Sequence, residues 1–257
     1  MKYTNIFDSH AHYDDERFDC DRDEVIKALA EKGVTGAINI GCNLERSEQS
    51  IELAEKYPML YASVGVHPED AENLPEDYLL RLEELAGHEK AVAIGEIGLD
   101  YHYEGYSAEA QKKVFREQLA LAKRLDMPVI IHSRDAAMDT LEILREFKPR
   151  GVVHCFSGSE ETAREILSLG MYISFTGVLT FKNAKRAAAA CSAVPEDRLL
   201  LETDSPYMAP EPVRGTRCDS SLIPYIAEKV AELRGSDAQS VIDKCTENTK
   251  RLFAIGI

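Results

Sequence analysis

Several things are missing from this chain of 257 residues. No apolar run approaches the roughly 20 residues needed to cross a bilayer. The N-terminus carries a lysine but no apolar h-region, so nothing suggests a secretion signal. No two cysteines are paired in a CxxC; the six stand singly at 20, 42, 155, 191, 218 and 245. A chain of this size needs no disulfides, so reduced thiols and a cytoplasmic location are expected. Positive charge is also short: 30 Lys and Arg face 45 Asp and Glu, a formal net charge of −15. An acidic surface repels nucleic acid and anionic membranes, which argues against a DNA-coating or membrane-surface protein. It does not exclude an enzyme that grips one strand end locally, because two divalent ions would concentrate positive charge in one cleft. There is no low-complexity tract, charge run or Pro/Gly-rich linker, so one domain over 1–257 is expected.

What is present is globular in composition, with 44% hydrophobic and 29% charged residues. The chain also has a rhythm. Short apolar runs recur at 6–12, 36–42, 60–67, 91–100, 128–135, 151–158, 171–178 and 198–206. They are often β-branched and nearly continuous in apolar character, as in buried parallel strands. Helical patterns lie between them. Residues 21–33 place Val25, Ile26, Leu29 and Ala30 on one face, with Gly33 as a stop. Residues 107–128 open on Ser107 and 159–170 on Ser159, both suitable N-caps. Two more helices, near 222–234 and 237–253, close the chain. Eight strands alternating with helices over about 250 residues point to an α/β fold, a closed (β/α)8 TIM barrel. A doubly wound open sheet is the rival.

In such a barrel the chemistry sits at the C-terminal ends of the strands. Of the seven histidines, five fall there: His10, His12, His67, His132 and His154. Glu96 lies in the second half of the fourth run, with Asp100 at its end, and Asp204 lies near the end of the eighth. Two histidines spaced i, i+2 on a strand share a face. Imidazole nitrogen and carboxylate oxygen suit zinc, manganese, iron or nickel, and carboxylate-rich sites also suit magnesium. One divalent ion could take His10, His12 and Asp204. A second could take His132 and His154, with Glu96 bridging the two.

Each residue alone has a bland reading. His132 or His154 could be a core histidine satisfied by backbone, and Asp204, ahead of Ser205-Pro206, could cap a turn. Glu96 resists that reading, because a lone carboxylate buried in an apolar run costs several kcal/mol unless it is paired or coordinated. Together the residues reinforce one another as a metal site. His67 is open between a substrate role and none, and Arg134 between binding phosphate and pairing with a neighbouring acid. His88 reads as solvated and the cysteines as small buried residues.

The stretches FDSHAH, GEIGLDYH, IIHSRDA, HCFSGS, ISFTGVLTFKNAK and LLLETDSPYMAP resemble, in order and over nearly the whole chain, the TatD family of metal-dependent hydrolases. The resemblance implies a (β/α)8 barrel with one to three divalent metals, two being expected here, as Mg, Mn or Zn. It implies phosphodiester cleavage, 3′→5′ on single-stranded DNA and sometimes internal. His10, His12, Glu96, His132, His154 and Asp204 match the family's ligand positions. The match departs at Arg217-Cys218-Asp219-Ser220, where the family commonly has Arg-Asn-Glu-Pro, and that bears on substrate preference. The expected roles are Asp204 as ligand and proton acceptor, Glu96 as bridge, and Arg134 and Lys182 on flanking phosphates. Tyr101 or Phe181 could stack on a base. A small-molecule amide, ester or lactone hydrolase using the same metal site is the alternative, and a non-catalytic metal-holding module a third. No membrane or protein partner is expected, and the chain is expected to be a monomer.

Overall fold

The structure, a computed structural model, describes residues 2–256. Eight strands form one parallel sheet in sequential order: β1 (Ile6–Ala11), β2 (Val34–Ile40), β3 (Leu60–Val64), β4 (Ala91–Asp100), β5 (Val129–Arg134), β6 (Gly151–Val153), β7 (Tyr172–Phe175) and β8 (Leu199–Leu201). The helices are α1 (Arg22–Leu29), α2 (Leu44–Lys56), α3 (Tyr78–Ala86), α4 (Ala108–Leu125), α5 (Ala137–Phe147), α6 (Glu160–Ser168), α7 (Lys185–Ala193), α8 (Ile223–Arg234) and α9 (Ala238–Leu252). The ring closes just beyond β8, where Ala11 bridges Ser205 in parallel. There the His12 amide donates to the Ser205 carbonyl at 2.7 Å and the Asp204 amide to the His10 carbonyl at 2.9 Å. The fold is the expected (β/α)8 barrel, and its seam is made by residues of the candidate site.

Local chemistry sets the helix ends. The Ser107 side chain accepts from the Ala110 amide and the Ser159 side chain from the Thr162 amide, as expected of N-caps. Asn43 and Asp237 do the same for α2 and α9. Gly33 stops the first helical segment at φ +88°, a left-handed conformation that favours glycine. Helix α3 ends at Ala86, so His88 sits in the following turn, half-buried, with Nε2 3.0 Å from Glu55 Oε1.

Two apolar cores share the strands. Residues such as Ala37, Ala62, Ile131, Ile173 and Leu201 face outward and pack under the helices. Phe7, Ile38, Ile130, Val152 and Leu200 face inward and fill the lower barrel, where Leu252, Phe253 and Ile255 at the end of α9 join them. A Cβ on Gly36 would come within 2.3 Å of the Phe7 ring, so this position is what lets Phe7 fill the barrel.

Two register shifts decide what faces the upper barrel. Between Asp8 and Ala11, β1 advances three residues while β2 advances two, from Ala37 to Asn39. Between Ile94 and Ile97, β4 advances three while β5 advances two, from Val129 to Ile131. Each inserts one residue and flips the alternation of side chains that follows. Phe7 and His10 therefore both face the interior, and Glu96 faces it while Ile94, Ile97 and Leu99 pack outward.

Several strands are shorter than the apolar runs. Strand β3 stops three residues before His67, β6 one before His154 and β8 three before Asp204. Their backbone still bonds across the mouth: the His67 amide donates to the Cys42 carbonyl at 2.6 Å and the His154 amide to Ile131 at 3.0 Å.

Candidate metal centre at the barrel mouth

A cavity of about 610 Å³ opens at the C-terminal ends of the strands, lined among others by His12, His67, Glu96, His132, His154 and Asp204. His10 lies beneath them, fully buried. Glu96 is the hub. Its Oε1 is 2.6 Å from His154 Nε2, 2.7 Å from His132 Nδ1 and 3.8 Å from His67 Nε2. Its Oε2 is 3.4 Å from His10 Nε2. On that second side, His10 Nε2 and His12 Nε2 are 3.1 Å apart, and Asp204 Oδ1 is 3.6 and 3.4 Å from them. The His10 and His154 rings stack with centroids 4.0 Å apart. All six expected ligands thus converge, in two groups that meet at one carboxylate, with one oxygen toward each group.

Other residues hold these side chains in place. Asp100 Oδ2 lies 2.9 Å from His132 Nε2, which turns His132 Nδ1 toward Glu96. Glu202 accepts from the Cys155 amide at 2.6 Å and the Ser174 hydroxyl at 2.5 Å, and its Oε1 lies 3.3 Å from His154 Nδ1 without hydrogen-bond alignment. Asp8 accepts from the Thr203 amide and hydroxyl at 2.9 and 2.5 Å and from Ser220 at 2.7 Å, locking β1 to the segment that carries Asp204. Asp204 itself has φ +59°, a left-handed turn that aspartate tolerates better than most residues. A Cβ on Gly98, at φ +149°, would lie 1.9 Å from the His132 carbonyl, so glycine lets β4 press against the strand carrying His132.

The electrostatics favour a cation. Burial pushes the Glu96 carboxyl up, but the surrounding imidazoles, His154 and His10 foremost, hold it well below the usual range. Asp204 is also lowered: burial opposes ionisation, and His12 and His10 overcome it. Burial opposes protonation of His154, yet Glu96 and Glu202 carry it well above the ordinary range. His12 is raised against burial by Cys42 and Asp204, and His132 by Asp100 and Glu96. His67 is pushed down to about 3 by burial, with His132 beside it acting in the same direction. Burial pushes Asp8 up to about 7. Burial lowers His10, and His154 acts in the same direction. Ionised Glu96 and Asp204 thus face three imidazoles raised toward the protonated form, His12, His132 and His154, and a divalent ion can take the place of those protons. Three overlapping groups could hold an ion: His10, His12 and Glu96; His10, His154 and Asp204; and His67, Glu96 and His132.

The remaining candidates lie differently. Arg134 is exposed on the rim, its guanidinium 5.0 Å from the Tyr103 ring centroid, rather than paired with an acid. Lys182 is exposed on the loop after β7 and does not line the cavity, because the 3-10 turn Gly177–Thr180 carries the chain past it. Tyr101 and Phe181 are half-buried and neither lines this cavity, so neither ring is placed to meet a base at the metal centre. The segment 217–220 does not line the cavity either. Arg217 bonds Asp21 through both Nη atoms at 2.7 and 2.6 Å, and Ser220 is buried against Asp8 and Tyr13. These four residues are thus held outside the cavity lining. The pattern of apolar runs overlooked Tyr103 and Tyr207, which stand in loops without periodicity, and Arg17, in the short 3-10 turn Glu16–Phe18. It also overlooked Asp8 and Glu202, which carry the same signal as Glu96: a carboxylate embedded in an apolar run.

The family described as TatD related DNase matches residues 7–254. The chain belongs to the TatD family. It is 44% identical over 253 residues to the uncharacterized metal-dependent hydrolase YabD of Bacillus subtilis, covering 97% of this chain and 99% of that protein. It is 36% identical over 256 residues to the 3′-5′ ssDNA/RNA exonuclease TatD of Cronobacter sakazakii, covering 96% of this chain and 97% of that one. The crystal structure of the TatD homologue YJJV from Escherichia coli superposes with a TM-score of 0.92 at 33% identity, over 97% of this chain and 98% of that one. The chain is thus a metal-dependent hydrolase of the TatD family, with a candidate centre of imidazoles and carboxylates at the place where barrel enzymes work.

Proposed function

We propose that this hydrolase removes nucleotides from the 3′ end of single-stranded DNA with the aid of two divalent ions. The observation that carries this reading is a pair of arginine–tyrosine stacks flanking the metal centre. Arg17 sits 4.5 Å over the Tyr207 ring and Arg134 sits 5.0 Å over the Tyr103 ring. Among the described residues neither arginine forms an ion pair within 4.0 Å, in a chain of net charge −15, although Asp15 feels the charge of Arg17, and Asp100 and Glu69 that of Arg134. Tyr103 and Tyr207 are 50% and 38% exposed. A strand that offers alternating phosphates and flat bases matches alternating guanidinium and phenol surfaces. The exonuclease name of the Cronobacter relative supports the polarity and the substrate.

The donor set fits a pair of ions: His10, His12 and Asp204 would hold one, His132 and His154 the other, and Glu96 would contribute to both. Bound divalent ions activate water at neutral pH and withdraw charge from the phosphoryl and leaving oxygens. The protein's own groups do the rest. Asp204, ionised because its neighbours lower its pKa, accepts the proton of the attacking water. Asp100 keeps His132 oriented, and Glu202 backs His154. Arg134 and Arg17 hold flanking phosphates, and Tyr103 and Tyr207 stack on bases. His67 lines the cavity and meets the His132 ring edge-on at 4.5 Å, placed to contact the substrate.

The test is an oligonucleotide labelled at its 3′ end, incubated with EDTA-treated protein and then with Mg²⁺, Mn²⁺ or Zn²⁺. Metal-dependent release of labelled mononucleotide is the expected result. Lack of cleavage with all three ions, alongside turnover of a lactone or simple ester, would replace this reading with a small-molecule hydrolase.

A further inference from the structure

The catalytic cavity does not end at Arg134. A second cavity of about 860 Å³ opens beside it, reaching the first turns of α5 and α6. The two share Ser133, Arg134, His154 and Ser157 as a common wall, so whatever leaves the metal centre on this side passes directly into the second space.

The lining of this space carries an imbalance of charge. Its two carboxylates are already engaged. Asp139 is 2.7 Å from Lys112 and accepts from Tyr101 at 2.8 Å, and Asp135 is 2.9 Å from His102. Its two arginines are not. Arg134 rests on Tyr103, and Arg186, exposed in the first turn of α7, makes no ion pair among the described residues. Glu161 feels the charge of Arg186, but its side chain bonds Ser159. On the same helices the arginines that face elsewhere are neutralised: Arg145 by Glu165 at 2.9 Å and Arg164 by Glu160 at 2.5 Å. The contrast separates the arginines that line the cavity from their neighbours on α5 and α6.

Hydroxyl and apolar groups share the surface between the arginines. Ala136, Ala137 and Phe156 line it, and Met138 stands on its rim with 75% of its surface exposed, the most exposed of the large apolar side chains. An exposed apolar side chain in a cavity that also presents two guanidiniums without ion-pair partners suits a base and the phosphates on either side of it.

We propose that this second cavity binds the nucleotides on the 5′ side of the scissile phosphate, with Arg134 and Arg186 on successive phosphates and Met138 against a base. This rests on the exonuclease reading and extends it: the enzyme selects a strand of several nucleotides over a single phosphodiester.

The experiment measures kcat/KM for the p-nitrophenyl ester of thymidine 5′-monophosphate and for oligothymidylates of two to eight nucleotides, in Mn²⁺. In the parent protein kcat/KM rises with length and then levels off. Arg186→Ala raises KM for the longer strands about tenfold, the loss of one charge-assisted hydrogen bond, with kcat little changed, and flattens the length profile. Arg186→Lys restores part of the profile. Met138→Glu, which places a negative charge on the rim, also flattens it. Lys123→Ala, the same change of charge in the last turn of α4 at the opposite end of the barrel, leaves it as in the parent. A parent that cuts oligonucleotides with no dependence on length, or an Arg186→Ala protein with the parent's profile, overturns the second cavity while leaving the exonuclease reading intact. A parent that cleaves no oligonucleotide overturns both.

Discussion

The two ends of the barrel are built from the same strands and do opposite work. The lower half is filled by Phe7, Ile38, Ile130 and Leu200 and is joined by Leu252 and Phe253 at the end of α9. The upper half holds four imidazoles and two carboxylates within contact of one another. Of the six large apolar side chains exposed among the described residues, five (Tyr103, Tyr106, Met138, Tyr207 and Met208) belong to segments that follow strands on the upper side. The difference teaches where the free energy lies. Apolar burial below stabilises the barrel, and the upper half crowds charged groups that have value only when a cation and a substrate are present.

That contrast can be broken in several ways. The largest effect is expected from Asp204→Asn. It removes the proton acceptor but keeps the shape, so kcat should fall roughly 10²- to 10⁴-fold with little loss of stability. Single-turnover cleavage and a urea melt would show it, and parental turnover would remove Asp204 from the chemistry. Phe7→Ala is the mirror experiment. It should destabilise the fold by about 3–5 kcal/mol through a cavity in the lower barrel, while the protein that remains folded still binds metal. If metal content collapsed in step with stability, the two halves would not be separable. Asp100→Asn comes next. It should weaken metal binding about 10- to 100-fold by freeing the His132 ring, as read by competition with a chelating dye.

The pH dependence follows from the same geometry. His12, His132 and His154 are all raised above the ordinary histidine range, so near pH 7 they hold protons that an incoming ion must displace. Metal affinity should therefore climb as pH rises from 6 to 8 and fall as it drops. Calorimetry in two buffers of different ionisation enthalpy should report proton release on binding. The smallest effect is expected from Tyr103→Ala. Losing one base stack should raise KM for a single strand about tenfold without changing the metal content.

Much of this was legible in the sequence because the signals are local. Eight short β-branched runs mark the strands, and Ser107 and Ser159 mark helix starts by chemistry that acts within one turn. The convergence of the six candidate residues was legible for another reason: imidazole and carboxylate at strand ends have few structural uses. The inserted residues in β1 and β4 were not. A period of two can be counted along a strand, but an extra residue shows only against the neighbouring strand's register. Counted strictly from Phe7, His10 would point outward.

The rim residues were missed because loops have no period. Tyr101 and Phe181 are as aromatic as Tyr103 and Tyr207, and only the fold shows that the second pair is exposed on the cavity lining and the first is half-buried away from it. Lys182 has the right charge, but the 3-10 turn before it carries the chain away from the cavity. Asp8 and Glu202 could have been found by the reasoning that singled out Glu96, since each is a carboxylate inside an apolar run and each is fully buried.

The most direct test of the central claim is a metal titration of the stripped protein, following release of the 3′-terminal nucleotide from a labelled single strand as Mn²⁺ is added. The convergence of two donor groups on Glu96 predicts little release until both groups are filled, then a steep rise that saturates near two equivalents, and a Glu96→Ala protein that saturates at fewer equivalents without release. Full release from metal-stripped protein, or two tightly bound ions with no release, would contradict it.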